Sequence, residues 1–428
     1  MINNKINGLT IKINRLKKNL TLSQAAKGIC SISYLSKIEN GSLDPQSDIE
    51  QLMFMRLEIP NEEAKQLPSI EELSYQLTKG YREILLDNKI GVIEAYNEIR
   101  QNYTDLILHP NINFKYVLFE LRYYLLIHDL PSAYENLNYL NQFSNHLSTQ
   151  EIYFYTYCKG ILFSMKKDYN IGLKYLLEAQ NLQEQLDLNN DRISYHVSLT
   201  YSHLNKPLLA IENGRKAIKS LECIELTSNE RNIRLILAIN YGKLKMFSHA
   251  LIEYEIVLER VLEVGTKKDV AMIYYNIALL YVKSNDSDQS IIYFLKSLNY
   301  RSKEDPYYFS TKRLLAREYF TLMKYNKALF LIEEAYQLVD KTQNIEEYFK
   351  IKLLRYQIIN RDKYNKEAIS FLEKKVLPFF IKHERGDLIV EYSELLSEYF
   401  SRKQQYKKAH MYIQQAFVYK NNLLRGDN

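Results

Sequence analysis

Glycine, proline, tryptophan and cysteine are all scarce in this chain. Its 428 residues include 12 Gly, 8 Pro, 3 Cys and no Trp, against 37 Tyr. So few turn-forming residues argue against the many tight hairpins of an all-β fold. The small, odd number of cysteines argues against a disulfide framework and against a zinc module. We therefore expect an all-α protein in a reducing compartment, the cytoplasm.

Long apolar runs and the sequence motifs of catalysis are also missing. No run of about 18 apolar residues occurs, and the N-terminus lacks the apolar segment of a signal peptide. There is no Gly-rich phosphate loop, nucleophile elbow or HExxH motif. His196 and His203 lie seven residues apart without nearby carboxylates or cysteines, so we expect no metal there. The sequence predicts a soluble protein that is not an enzyme and needs no cofactor.

Positive charge is concentrated at the N-terminus. Residues 1–38 hold seven Lys and Arg and no Asp or Glu, whereas the whole chain carries a net charge of only +6. The remainder is therefore slightly acidic, and an anion-binding function is expected in the first residues alone. The seven cations are Lys5, Lys12, Arg15, Lys17, Lys18, Lys27 and Lys37.

Short helices are predicted between Leu9 and Leu57. The hydroxyls of the segment LTLS (residues 20–23) are placed to cap a short second helix that ends at Gly28. Ser31 is placed to cap a third helix, which we expect to direct Ile32, Leu35 and Ile38 inward and to end at Gly41. Two such helices joined by a tight turn are the helix-turn-helix design for the major groove, although a basic helical packing domain is the alternative.

The runs LTLSQAA (residues 20–26) and SISYLSKIENG (residues 31–41) resemble the helix-turn-helix of phage-repressor-like (Xre family) regulators. The family usually has glycine where this chain has Ile29, directly after Gly28. The resemblance implies that Gln24 contacts a phosphate and that Glu39 is structural. By the same resemblance, the predicted DNA-binding residues are Gln24, Ser31, Ser33, Tyr34 and Lys37.

A repeat of about 40 residues follows the N-terminal segment. The division that we predict is a DNA-binding domain over residues 1–60, a linker over 61–73 and a repeat domain over 74–428. Small residues recur at separations of 38 to 41, at Ala133, Gly172, Ala210, Ala250, Ser290, Ala328, Ala368 and Ala409. We call these the anchor residues. A second small residue precedes most anchors by twelve positions, and an aromatic residue lies three positions after that one.

This pattern indicates helical hairpins, because antiparallel helices pack closely only where side chains are small. It resembles tetratricopeptide repeats lengthened from about 34 residues. We expect a right-handed superhelix of about eight to nine hairpins, since one hairpin cannot bury its apolar side alone.

The first helices of such hairpins line a groove that commonly binds extended peptides. Asn is suited to a peptide backbone because its amide both donates and accepts, and Arg is suited to a carboxylate. For each residue a purely structural role is the alternative. The predicted peptide-binding residues are Arg122, Tyr157, His196, Asn232, Tyr275, Asn276, Arg313 and Arg317.

A helix-turn-helix joined to a long tetratricopeptide array resembles the peptide-pheromone receptors of Gram-positive bacteria, the Rap, Rgg, NprR, PlcR and PrgX superfamily, and is most similar to its NprR group. The resemblance implies a cytoplasmic quorum-sensing regulator. Such a protein binds a short imported signalling peptide and occupies a pseudo-palindromic DNA operator as a homodimer or higher homo-oligomer. Some members also inhibit a response regulator of the sporulation phosphorelay when peptide-free, and the residues leave open whether this chain does.

Two other functions stay open at this point. One is a protein-binding scaffold whose repeats engage a partner protein while the N-terminal helices merely dock. The other is a peptide-sensing regulator of phage lysogeny, which would differ in its targets and not in its mechanism. The residues do not identify the peptide, the operator or the regulated genes.

Overall fold

The computed structural model describes residues 2–59, 67–86, 88–104, 106–188, 192–221, 228–340 and 343–425. The chain forms two compact units, Met1–Ile193 and Ser194–Asn428. The described residues are helices, turns and connecting segments, so the predicted all-α class is confirmed. No described helix is long and apolar enough to cross a membrane.

The described residues of unit 1 form four N-terminal helices and three helical pairs. A short 3-10 helix, Leu106–Leu108, precedes the second pair. The helices are α1 (Ile2–Lys17), α2 (Leu22–Ala26), α3 (Ile32–Glu39), α4 (Ser47–Leu57), α5 (Leu67–Leu85), α6 (Lys89–Asn102), α7 (Pro110–Ile127), α8 (Leu130–Asn141), α9 (Thr149–Met165) and α10 (Tyr169–Gln185).

In unit 2 the described residues form six further pairs. The first helix of the first pair, α11, starts two residues before the unit boundary. A π-helical segment, Leu372–Val376, joins α20 and α21 into one helical rod that pairs with α19. The helices are α11 (Arg192–His203), α12 (Pro207–Leu221), α13 (Ser228–Lys243), α14 (Phe247–Val264), α15 (Lys267–Lys283), α16 (Ser287–Asn299), α17 (Tyr308–Thr321), α18 (Tyr325–Leu338), α19 (Ile345–Ile359), α20 (Lys366–Phe371), α21 (Leu377–Lys382), α22 (Gly386–Arg402) and α23 (Tyr406–Arg425).

The N-terminal helices enclose a small apolar core. Ile11, Leu35 and Met53 are fully buried there and Ala25 packs among them, because its small side chain allows the helices to approach. Of the predicted linker, residues 61–66 lie outside the described part of the chain, and residues 67–73 begin α5. The division at residues 60 and 73 therefore stays a prediction.

The anchor residues pack as the repeat pattern predicts. Ala210, Ala250, Ser290 and Ala328 are fully buried. A Cβ atom on Gly172 would lie 2.9 Å from the Ser164 backbone nitrogen and 3.0 Å from the Gly160 carbonyl oxygen, so only glycine fits. The hydroxyl of Ser198, twelve positions before Ala210, donates to the Ala210 carbonyl at 2.6 Å. Small size thus brings the two helices of a hairpin into contact.

One turn geometry recurs inside the hairpins. The residue five positions before the anchor has a positive φ in seven pairs, with values from 53° to 67°. The next backbone N–H donates to the carbonyl of the repeat's aromatic position, as from Lys324 to Tyr319 at 2.8 Å and from Asp286 to Tyr281 at 2.9 Å. This six-to-one bond is that of a Schellman cap, which ends the first helix and starts the second. The seven residues are His128, Lys167, Asn205, Lys245, Asn285, Met323 and Gln404.

Candidate functional sites

Helices α2 and α3 form the predicted helix-turn-helix. Thr21 caps α2 in a reciprocal pair with Gln24: the Thr21 hydroxyl oxygen accepts from the Gln24 backbone N–H at 3.2 Å, and Gln24 Oε1 accepts from the Thr21 N–H at 2.8 Å. Gly28 has a φ of +76°, so it, and not the following Ile29, takes the left-handed conformation in the turn. Ser31 caps α3 by accepting from the Tyr34 N–H at 3.1 Å.

The five predicted DNA-binding residues lie in this segment and differ in their exposure and in the hydrogen bonds that they already make. Ser31, Ser33 and Lys37 are exposed. Gln24 is exposed too, and its oxygen is used in the cap, which leaves its amide N–H groups to donate. Tyr34 is half-buried and its hydroxyl accepts from the Gln46 N–H at 3.3 Å, so its ring belongs partly to the core.

One expectation for α3 is wrong. Ile32 was expected to point inward with Leu35 and Ile38, yet its side chain is 51% exposed and does not join the apolar core. The reason is positional. Ile32 is the first helical residue after the Ser31 cap, so no preceding turn of α3 covers it.

Among the N-terminal cations whose side chains the structure describes, Arg15, Lys18 and Lys12 contact other residues of the chain. Arg15 pairs with Glu39 through two hydrogen bonds of 2.6 and 2.7 Å, and both side chains are buried. This geometry fits the structural role expected of Glu39. Lys18 pairs with Glu58 at 2.6 Å on the surface, and the hydrogen bond from Lys18, together with its charge, lowers the pKa of that carboxyl.

Lys12 is the third, and its contact was not predicted. Its ammonium donates to the Gln142 carbonyl at 2.9 Å, at the C-terminus of α8, and lies 4.7 Å from the centre of the Phe143 ring. A cation at a helix C-terminus interacts favourably with the helix dipole. Burial lowers the pKa of Lys12, and burial together with the Lys12 charge lowers the pKa of His146. The N-terminal helices are therefore anchored to the first repeats of unit 1.

The predicted peptide-binding residues occupy one face of the first helices in their hairpins. Counted back from the anchor, they stand at four positions spaced as neighbours on a helix face: 18 (Asn232), 15 (Tyr157, Tyr275, Arg313), 14 (His196, Asn276) and 11 (Arg122, Arg317). Arg122 and Tyr157 lie in unit 1, and the other six lie in unit 2.

Arg122 stands out among the three arginines. It is half-buried on α7, with its guanidinium carbon 5.2 Å from the centre of the Tyr157 ring on α9. Within the described ranges it forms no ion pair with a carboxylate. Burial raises the pKa of the neighbouring Cys158 to about 11, while the Arg122 charge acts in the opposite direction. A half-buried cation with only aromatic support is poised to accept an anion.

Arg313 and Arg317 already face carboxylates. Arg313 Nε lies 2.6 Å from Glu347 Oε1, with both side chains largely buried. Burial alone would lower the pKa of Arg313, but the Glu347 carboxylate outweighs burial and raises that pKa. Arg317 Nε lies 3.4 Å from Glu318 Oε1 and is more exposed. The sequence carries no signal for the Arg313–Glu347 pair, because the two residues belong to different hairpins.

The remaining predicted residues in unit 2 are polar and partly covered. Asn232 on α13 and Asn276 on α15 are half-buried, and neither side chain makes a hydrogen bond to a described residue. Tyr275 packs against the rings of Phe294 and Tyr307 at 5.9 and 6.1 Å, so it contributes to the core as well as to the face. His196 is half-buried beside Tyr195. Within the described residues no cluster of His, Cys, Asp and Glu is arranged to hold a metal ion.

Comparison with known proteins places this architecture. No family model matches the chain. A curated relative, the transcriptional activator NprA of Geobacillus stearothermophilus, is 25% identical over 413 residues, which cover 93% of this chain and 99% of the relative. This relative is a regulator, which agrees with the prediction that the chain is not an enzyme.

Two solved structures share the fold. The apo form of the quorum sensor NprR from B. thuringiensis has a TM-score of 0.71 at 21% identity, covering 82% of this chain and 99% of that one. NprR in complex with its cognate peptide NprX has a TM-score of 0.58 at 22% identity, again over 82% and 99% of the two chains. The predicted resemblance to the NprR group is confirmed. The chain is a homologue of the transcriptional activator NprA, built on the tetratricopeptide-like helical fold of the NprR proteins.

Proposed function

We propose that this protein is a cytoplasmic transcription regulator that binds a short signalling peptide with its repeats and operator DNA with its N-terminal helices. It acts as a homo-oligomer on a pseudo-palindromic site, and the peptide shifts the population of DNA-binding conformations. Two similar proteins support this proposal. The relative NprA is a transcriptional activator, and NprR, which shares the fold, forms a complex with its cognate peptide NprX.

The proposed peptide binding rests on the surroundings of Arg122. Its half-buried guanidinium rests on the Tyr157 ring with no carboxylate partner in the described part of the chain. A peptide carboxylate, at the C-terminus or on a side chain, supplies the missing partner. In unit 2, the half-buried amides of Asn232 and Asn276 offer a donor and an acceptor each to a peptide backbone.

The DNA half rests on the surface of α3. Ser33 and Lys37 are exposed one turn apart, after the exposed Ser31 cap. A recognition helix needs small polar groups and a cation on its outer face to reach base edges and phosphates. A protein-binding scaffold has no need of this surface.

Peptide binding is tested with fluorescein-labelled synthetic peptides from short reading frames next to the gene, each made with a free C-terminal carboxylate and as an amide. We expect Arg122→Ala to weaken binding of the matching peptide by about ten-fold or more, since a charge-assisted pair is lost. Arg402→Ala is the matched control and should have a small effect, because that exposed arginine lies outside the predicted peptide-binding set and already pairs with Glu398. Equal losses for the two variants would remove Arg122 from the site.

DNA binding is tested by fluorescence anisotropy on duplexes that flank the gene, at two salt concentrations. The double variant Ser33→Ala, Lys37→Ala should lose selective binding, whereas a scaffold protein would show none to lose. Wild-type binding that is unselective and abolished by moderate salt would contradict the operator hypothesis.

A further inference from the structure

Among the apolar residues of α2 and α3, Ile32 does not pack in the N-terminal core. Leu22, Ala25, Ala26, Tyr34, Leu35 and Ile38 all belong to the N-terminal core or pack against it. Ile32 is absent from that set and is 51% exposed. As a β-branched residue it also has a lower helix propensity than Ala or Gln. Neither packing nor helix formation therefore explains an isoleucine at this position.

The position itself is informative. Ile32 is the first residue of α3, flanked by the exposed Ser31 and Ser33. In a helix-turn-helix docked in the major groove, the N-terminal residues of the second helix lie against the base edges. The apolar group that the major groove presents is the 5-methyl of thymine, and an aliphatic side chain reads it by contact. A serine or lysine at this position would gain nothing from that methyl group.

We propose that Ile32 contacts a thymine 5-methyl group and so selects an A·T pair at one position of the operator half-site. This inference rests on the proposed DNA-binding function and adds a specificity determinant that is apolar. The neighbouring Ser33 and Lys37 supply the polar contacts, and Ile32 supplies discrimination by shape and desolvation.

The test removes the methyl groups without any need to know the operator. Duplexes covering the region upstream of the gene are amplified once with thymidine triphosphate and once with deoxyuridine triphosphate, and shuffled duplexes are made in the same two ways. Full-length wild type, Ile32→Ala and Met55→Ala are titrated against all four. Met55 on α4 is 74% exposed, so its variant controls for the loss of a surface apolar group elsewhere in the same helices.

We expect wild type and Met55→Ala to bind the thymine duplex about four-fold more tightly than the uracil duplex for each methyl contacted. In Ile32→Ala this preference for thymine should be about four-fold smaller than in wild type, because one methyl contact is lost. This variant should also unfold at no lower a temperature, because Ala is the better helix former at an exposed site.

Two results overturn the inference alone: selective wild-type binding that is indifferent to the methyl groups, or a thymine preference that is as large in Ile32→Ala as in wild type. Wild-type binding that does not distinguish the upstream duplex from the shuffled one overturns the proposed DNA-binding function and this inference with it.

Discussion

At the scale of residues, side chains of the same type have been given different roles by their surroundings. Lys12 and Lys37 are both basic residues of the N-terminal helices. Lys12 is half-buried against Gln142 and Phe143, whereas Lys37 is exposed on the outer face of α3. Arg122 and Arg313 differ in the same way, since one lacks a carboxylate partner in the described chain and the other pairs with Glu347. Availability to a ligand follows from the neighbours and not from the residue type.

Lys37 and Lys12 form a matched pair of variants for DNA binding. Lys37→Ala should make the slope of log affinity against log salt concentration less negative by about 0.9, because one phosphate contact is lost. Lys12→Ala should leave the slope unchanged and lower the free energy of unfolding by about 1 kcal/mol, because its charge is used at the C-terminus of α8. Salt titrations by anisotropy and thermal unfolding measure the two effects. A reduced slope in Lys12→Ala would show that Lys12 reaches DNA.

At the scale of elements, several hairpin turns place a residue other than glycine in a left-handed backbone conformation, which costs conformational free energy. Lys167, Lys245, Met323 and Gln404 all adopt a left-handed conformation that favours glycine. The Met323 side chain is 73% exposed, so it gains little by packing. The turn is held instead by the Schellman hydrogen bonds and by the packing of the two helices.

Met323→Gly should therefore raise the free energy of unfolding by about 0.5–1 kcal/mol, as left-handed strain is relieved at the C-terminus of α17. The control is Asn326→Gly, at an exposed helical position in α18, which should lower the free energy of unfolding by about 0.3 kcal/mol. Chemical denaturation of the full chain measures both. Destabilisation by Met323→Gly would mean that the side chain, and not only the backbone, supports this turn.

At the contact between α9 and α10, we expect the replacement of a glycine to destabilise the protein. Gly172→Ala places a Cβ against the Ser164 backbone nitrogen and the Gly160 carbonyl, neither of which can move without separating the helices. We expect a loss of about 1–3 kcal/mol in unfolding free energy, the usual cost of overpacking. An unchanged midpoint in chemical denaturation would show that α9 and α10 can accommodate a Cβ atom at Gly172.

At the scale of the whole molecule, the proposed function requires a link between the proposed peptide site and the proposed DNA-binding helices. Within unit 1 the physical connection is short. Helix α7 carries Arg122 and also packs against α1, which itself packs against α3 and is held at α8 by Lys12. A peptide that alters α7 thus acts on an element in direct contact with the N-terminal helices.

Binding linkage gives this connection a quantitative test. A peptide that changes operator affinity by some factor must have its own affinity changed by DNA by the same factor, typically about 5–150-fold. Arg122→Ala should abolish the response to peptide and leave basal DNA binding intact. Anisotropy with labelled DNA and, separately, labelled peptide measures both directions. The linkage hypothesis fails if bound peptide changes neither operator affinity nor oligomeric state.

Much of the fold was decided locally and could be predicted from the sequence. The spacing of small and aromatic residues predicts hairpins, because those side chains act between helices adjacent in the chain, and the observed pairs confirm it. Capping residues such as Ser31 and the glycine at the end of α3 act within a few residues of themselves. The helix-turn-helix was located by its capping residues and its resemblance to known motifs. The helix positions of Arg122 in unit 1 and of Asn276 in unit 2 follow from the repeat register.

Which candidate residues are free to act was decided only by the tertiary structure. Lys12 meets its acceptor 130 residues away, Arg313 meets Glu347 34 residues away, and Arg15 meets Glu39 24 residues away. The exposure of Ile32 likewise depends on which neighbours cover the start of α3. Charge and periodicity specify where a side chain stands on its helix. Packing between helices distant in sequence determines whether that side chain already has a partner, and so whether it can take a ligand.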